Sequence, residues 1–144
     1  MNLFLDTNIL IDLTANRLPF SKWAIKIFMD AKEGKYHLIT STFSMLTCYY
    51  IIERQIGSKR TKKVIRILLN RIQTQDVSRK ELLTALTTKV EDYEDAVQHE
   101  CAKLCNSIDA IITRNKKDFK HSIIKVLSPE ELYLGDKATD LYTP

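Results

Sequence analysis

Cysteine, glycine and proline are scarce, at three of each in 144 residues, and tryptophan occurs once. Three cysteines are odd in number and form no C-x-x-C pair, which argues against a disulfide framework and a zinc ribbon. A reducing cytoplasm is the compartment expected. Cys101 and Cys105 lie one helical turn apart, and burial as small hydrophobes is preferred over a metal clip. No apolar run approaches the roughly 20 residues of a membrane span. The opening Met1-Asn2-Leu3-Phe4-Leu5-Asp6 lacks a basic lead-in and a long apolar stretch, so no export signal is expected. Repeats and low-complexity segments are also missing, as is any Asn-Gly hairpin signal. The net charge of +4 permits attraction to a polyanion without demonstrating it.

What is present is a single alternation of strands and helices, in a chain long enough for one domain with its own core. Residues 2–5 form a short apolar strand that stops at Asp6-Thr7-Asn8, and helical spacing follows through Leu13 to Asn16. Phe20, Trp23, Ala24, Ile27, Phe28 and Ala31 make the stripe of a second helix, between Pro19 and Gly34. Tyr36 to Thr40 is a second strand, and Ser41 opens a helix that Gly57-Ser58 breaks. A basic helix spans about Lys59 to Arg71, and Gln73 to Val77 is a third strand. Ser78-Arg79-Lys80-Glu81 and Asp92-Tyr93-Glu94-Asp95 resemble capping boxes and start two helices in succession. Ala110 to Thr113 and Ile123 to Leu127 complete about five strands, and Ser128-Pro129-Glu130-Glu131 caps a last helix. The domain expected is 1–134, with a polar tail over 135–144.

Such an alternation without hairpins predicts an α/β fold with a central parallel sheet covered on both faces. Ligands then bind beyond the carboxyl ends of the strands. Asp6 ends the first strand and Thr113 to Phe119 follows the fourth, so acids about a hundred residues apart share one edge, and Asp95 can point toward the same rim. Carboxylates gathered in this way repel one another unless a cation sits among them. A set of oxygen ligands suits magnesium or manganese, which can activate water and stabilise a phosphate in transfer.

Leu5-Asp6-Thr7-Asn8-Ile9-Leu10-Ile11-Asp12, Asp92-Tyr93-Glu94-Asp95-Ala96 and Ile111-Ile112-Thr113-Arg114-Asn115-Lys116-Lys117-Asp118-Phe119 resemble, in order and spacing, the three signature segments of PIN domains. The likeness runs from residue 3 to about 132 and is strongest to small bacterial members related to the toxins of VapBC-type toxin–antitoxin pairs. It implies a three-layer α/β/α fold, a Mg2+- or Mn2+-dependent endoribonuclease, RNA as substrate, an antitoxin protein as partner, and a homodimer. Asp6, Asp95 and Asp118 correspond to catalytic acids, and these three with Asn115 to the metal ligands. Asn8, Thr113, Arg114 and Lys116 correspond to substrate-contacting positions. One departure stands out. The glutamate that active members carry on the helix after the second strand aligns with Thr47, and Glu53, about 240° further round, cannot replace it.

Plainer roles exist for each of these residues. Asp6 can cap the helix after it, Asp95 can be the acid of a capping box with Asp92, and Asp118 can be a surface acid among lysines. Asp12 and Glu94 are read as structural. His99 is read as a satisfied polar group. The basic helix and the run Arg114 to Lys120 can contact RNA phosphates or simply be solvated. The alternative function is a catalytically weak PIN domain serving as an RNA-binding or protein-interaction module, motivated by Thr47 and Asn115. An aspartate-nucleophile phosphatase would need an aspartate where Asn8 stands.

Overall fold

The computed structural model describes residues 1–135, so the expected tail beyond Gly135 lies outside the described residues. The elements run β1 (Asn2–Leu5), α1 (Thr7–Thr14), α2 (Ser21–Lys32), β2 (His37–Ser41), α3 (Thr42–Ile56), α4 (Ser58–Arg71), β3 (Gln73–Gln75), α5 (Arg79–Ala85), α6 (Tyr93–Leu104), β4 (Ala110–Ile112), a 3₁₀ turn (Lys116–Phe119), β5 (Val126–Leu127) and α7 (Pro129–Leu134). All strand pairs are parallel, in the order β3-β2-β1-β4-β5. The α/β class, the parallel sheet and its five strands agree with the expectation.

Alternation along β1 explains the layering. Leu3 and Leu5 face a cluster that includes Ile9, Leu10, Ile27, Leu38, Ile52 and Ile112, which joins the sheet to α1, α2 and α3. Phe4 points the other way, toward Ile39, Ile111, Phe119 and the α6 residues Cys101 and Ala102. β1 is therefore buried on both faces and reads as a continuous apolar run, as a central parallel strand does. The chain winds outward from β1 through β2 to β3, then returns to β4 on the other side of β1. This reversal opens a crevice beyond the carboxyl ends of β1 and β4.

Local signals account for the boundaries. Ser41 accepts a hydrogen bond from the Ser44 amide at 2.9 Å, capping α3, and Gly57 separates α3 from α4 at a φ of +80°, where a side chain would be strained. Ser78 and Ser128 form full capping boxes with Glu81 and Glu131. Two expectations need correction. The fifth strand is shorter than residues 123–127, because Ser122 Oγ binds the amide and carbonyl of Ile124 and curls the chain there, leaving Ile123 83% exposed. The third strand ends at Gln75, and Val77 packs beneath the sheet instead of extending it.

The stripe on α2 also has a partner within the chain. Trp23 stacks on Tyr133 of α7 at 5.7 Å, and the Tyr133 hydroxyl donates to Asp30 at 2.8 Å, where Lys26 and Lys35 also converge. The Trp23 end of the α2 stripe is therefore covered by α7. Among the described residues no helix is long and apolar enough to cross a membrane.

Candidate active site

Asp6 stands where β1 ends and α1 begins, and it serves as cap and crevice residue at once. Its Oδ1 accepts from the Thr7 amide at 2.7 Å, the N-cap contact. Its Oδ2 accepts from Thr113 Oγ1 at 2.7 Å and from Asn8 Nδ2 at 3.2 Å. Burial pushes the Asp6 carboxyl up to about 6, against the pull of the Thr113 and Thr7 hydrogen bonds. The two plain roles are thus not exclusive, because a cap needs one carboxylate oxygen and leaves the other for the crevice.

Asp95 sits in the first turn of α6. Asp92 caps that helix by accepting from the Asp95 amide at 3.0 Å, but no reciprocal bond from the Asp95 carboxyl to the cap is formed, so the expected capping box is half a box. The carboxyl turns into the crevice instead. Burial first, then the charges of Asp6, Asp92 and Asp118, push it up to about 8.

The crevice has a volume of about 220 Å³ and is lined by Asp6, Asn8, Thr47, Asp95, Asn115 and Asp118, with Asp92 and Glu94 on its rim. Every predicted acid and Asn115 therefore meet in one place. Thr47 is there as well, on the face of α3 where the alignment put the missing glutamate. Asp92 and Glu94, whose charges also raise Asp6, were not among the site residues expected from the sequence. Their roles as cap and first-turn acid explained them fully, and nothing in their spacing marked a second one.

The four residues expected to touch substrate each have a partner within the chain. Asn8 and Thr113 direct their side chains to Asp6 and to each other, at 3.3 Å, so their contacts orient the carboxylate. The Asn115 amide adds a bond to Thr113 Oγ1 at 3.0 Å, and the Arg114 amide donates to Asn8 Oδ1 at 3.4 Å. The Arg114 guanidinium turns away and grips the buried Asp12 with two bonds, of 2.6 and 3.0 Å, while lying 4.0 Å from the Phe20 ring centroid. Lys116 pairs with Glu131 at 2.6 Å. His99 hydrogen-bonds Ser122 at 2.8 Å, as a satisfied polar group should.

Beneath the crevice lies a buried polar junction. Gln98, three residues after Asp95 on α6, donates to Thr7 Oγ1 at 2.8 Å and to Ser44 Oγ, and Thr7 and Ser44 share a bond of 2.7 Å. Helices α1, α3 and α6, which carry Asp6, Thr47 and Asp95, are tied at this point.

The donor set suits a hard divalent cation. All candidate ligands offer oxygens, and Asp6 and Asp95 are both raised by burial first and by neighbouring carboxylates second, an environment that a cation would relieve. Among the described residues no three acids, histidines or cysteines close into a compact cage. An ion that keeps several of its waters, as magnesium does, needs no such cage.

Comparison with known proteins places this geometry. The PIN domain model matches residues 2–117, which span all three acidic segments as far as Lys117. The ribonuclease VapC1 of Aquifex aeolicus (strain VF5) is 26% identical over 135 residues, covering 89% of this chain and 90% of that protein. A toxin–antitoxin complex from Klebsiella pneumoniae contains a chain of 26% identity that superposes with a TM-score of 0.62, over 88% of this chain and 97% of that one. VapBC2 from Rickettsia felis, solved bound to a DNA fragment from its promoter, shares the fold with a TM-score of 0.64 at 20% identity, over 89% of this chain and 98% of its own. With the sheet order, the crevice and the matched segments in agreement, the chain belongs to the PIN domain family.

Proposed function

We propose that this protein is a Mg2+- or Mn2+-dependent endoribonuclease and the toxin member of a toxin–antitoxin pair. The observation that carries the reading is the convergence of Asp6, Asp95 and Asp118, from three separate elements, in one crevice at the carboxyl end of the sheet. The kinship with a named ribonuclease and with a toxin–antitoxin complex supports the substrate and the partner.

In this reading Asp6, Asp95, Asn115 and Asp118 hold the metal, which when bound supplies Lewis acidity toward the phosphoryl oxygens and a lowered pKa for the attacking water. The chain's own residues do the positioning. Thr7, Asn8 and Thr113 hold the Asp6 carboxylate in one orientation with three hydrogen bonds. Burial, then the charges of Asp6, Asp92 and Asp118, favours the protonated form of Asp95 in the metal-free protein, and a bound cation would favour its carboxylate. Asp92 and Glu94 add negative charge at the rim and draw cations in.

A homodimer is part of the proposal. Leu46, Tyr50, Ile67 and Leu69 on α3 and α4 are each at least half exposed and supply apolar surface for it. The catalytically weak module stays as a second reading because Thr47 lines the crevice where a carboxylate would strengthen metal binding.

The test is manganese-dependent cleavage of a single-stranded RNA by the wild type, Asp6→Asn and Asp95→Asn. Cleavage by the wild type alone is the expected result. Wild-type protein that binds RNA and metal without cutting would replace the enzyme with the module, and cleavage that survives Asp6→Asn would expose a contaminating nuclease.

A further inference from the structure

We propose that the cavity adjoining the acidic crevice, walled by Lys89, Lys117, Lys120 and His121, is a phosphate subsite that holds the RNA backbone beside the scissile bond. The proposal rests on the ribonuclease reading above and names where its substrate's charge is met.

An acidic crevice repels RNA, so a nuclease with such a site needs cations close by. The two cations that the sequence pattern nominated are engaged elsewhere, Arg114 with Asp12 and Lys116 with Glu131. The next cations are differently placed. Lys89, from the turn between α5 and α6, Lys117, from the 3₁₀ turn, and Lys120, just after it, are exposed and take part in no ion pair among the described residues. With His121 they line a cavity of about 250 Å³.

Asp118 lies in the wall of this cavity and in the wall of the acidic crevice, so the two spaces adjoin. A strand whose scissile phosphate lies at Asp6 and Asp118 has its neighbouring phosphate at the lysines. Glu91 also lines the cavity and is the one acid there outside the metal set; three lysines exceed it in charge. His121 is the one ring in the lining and stands beside three lysines, so charge outweighs base stacking as the mode of capture. The ligand chemistry left is a phosphodiester, gripped without reading sequence.

The test compares Lys89→Ala/Lys117→Ala/Lys120→Ala with a control of equal charge loss, Lys22→Ala/Lys32→Ala/Lys80→Ala, exposed lysines that line neither space. Affinity for a fluorescent single-stranded oligoribonucleotide is measured by anisotropy in EDTA over a range of salt, so that nothing is cut. The first variant is expected to bind on the order of tenfold more weakly at low salt, with the slope of log affinity against log salt shallower by about 0.7 for each phosphate no longer neutralised. With manganese present, its loss of cleavage falls on KM more than on kcat. Equal weakening in both variants would overturn the subsite and leave only a general field. Unchanged binding in the first variant would overturn it too, with cleavage by wild type still standing for the ribonuclease reading. A wild type that binds no RNA would sink both.

Discussion

Gln98 and Thr7 are joined by a 2.8 Å hydrogen bond, and each lies close in sequence to an acid of the crevice, Gln98 three residues after Asp95 and Thr7 next to Asp6. The bond therefore ties together two elements whose carboxylates are far apart in sequence and share one crevice. Gln98→Met keeps the volume and removes the amide, including its buried Oε1, which has no partner. Near-wild-type thermal stability with manganese affinity lowered about 10- to 100-fold is the expected outcome, as for other groups that support metal ligands. Calorimetric titration decides it; unchanged affinity would make the junction mere packing.

Arg114 is predicted to matter for stability more than for substrate. Arg114→Ala leaves Asp12, whose side chain is 1% exposed, without its countercharge, at a cost of about 3 kcal/mol. Urea denaturation should show that loss, while RNA affinity of the folded variant in EDTA stays close to wild type. The opposite pattern would mean that Arg114 leaves Asp12 for the substrate.

The pH dependence of the metal-free protein follows from Asp6 and Asp95. Both fold with carboxyls raised above their ordinary value near 3.8, to about 6 and about 8, so the folded state keeps protons that the unfolded state has released. Stability therefore falls as pH rises from about 4 to 8. His99, held below its usual value by burial, acts in the opposite direction below about 6.5, and Asp30, lowered to about 2 by Lys35 and Tyr133, acts only at more acid pH. Comparison with Asp95→Asn cancels both. In EDTA at pH 8 that variant should melt about 5 °C above wild type, with the gap closing toward pH 5. Manganese should raise the wild-type Tm most at pH 8. A gap that does not change with pH would remove Asp95 from the charge cluster.

Thr47→Glu adds a carboxylate to a crevice that faces it. Manganese affinity by calorimetry should rise, and the metal-free protein should become less stable because one more negative charge joins Asp6 and Asp95. In the presence of manganese, cleavage of single-stranded RNA should increase, and Asp6→Asn should abolish it in either background. Unaltered metal binding would place the Thr47 side chain away from the ion.

The acids of the site were legible because each follows a strand or opens a helix whose apolar pattern is plain, and parallel topology brings such positions to one edge. The fates of Arg114 and Lys116 were not. Their partners Asp12 and Glu131 lie 102 and 15 residues away, and no periodicity links them. Asp92 and Glu94 escaped notice for another reason: helix-start chemistry already accounted for them. Gln98 was hidden because α6 is buried through the run Ala96 to Ala102, so its polar members show no exposed face by which function could be told from packing. The short fifth strand shows the limit of apolar runs as evidence, since Ser122 overrode Ile123 and Ile124 with two local bonds.

The central place of β1 has a consequence for how the molecule is made. Its outer neighbour on one side, β4, is synthesised more than a hundred residues later, and the Thr113 hydroxyl that holds Asp6 comes 107 positions after it. Contacts so distant in sequence form late in folding. A chain made only as far as β3 has Asp6 without β4, without its Thr113 hydroxyl partner and without Asp118. In the proposed nuclease the acids of the crevice are therefore not assembled until the segment through Asp118 has been made.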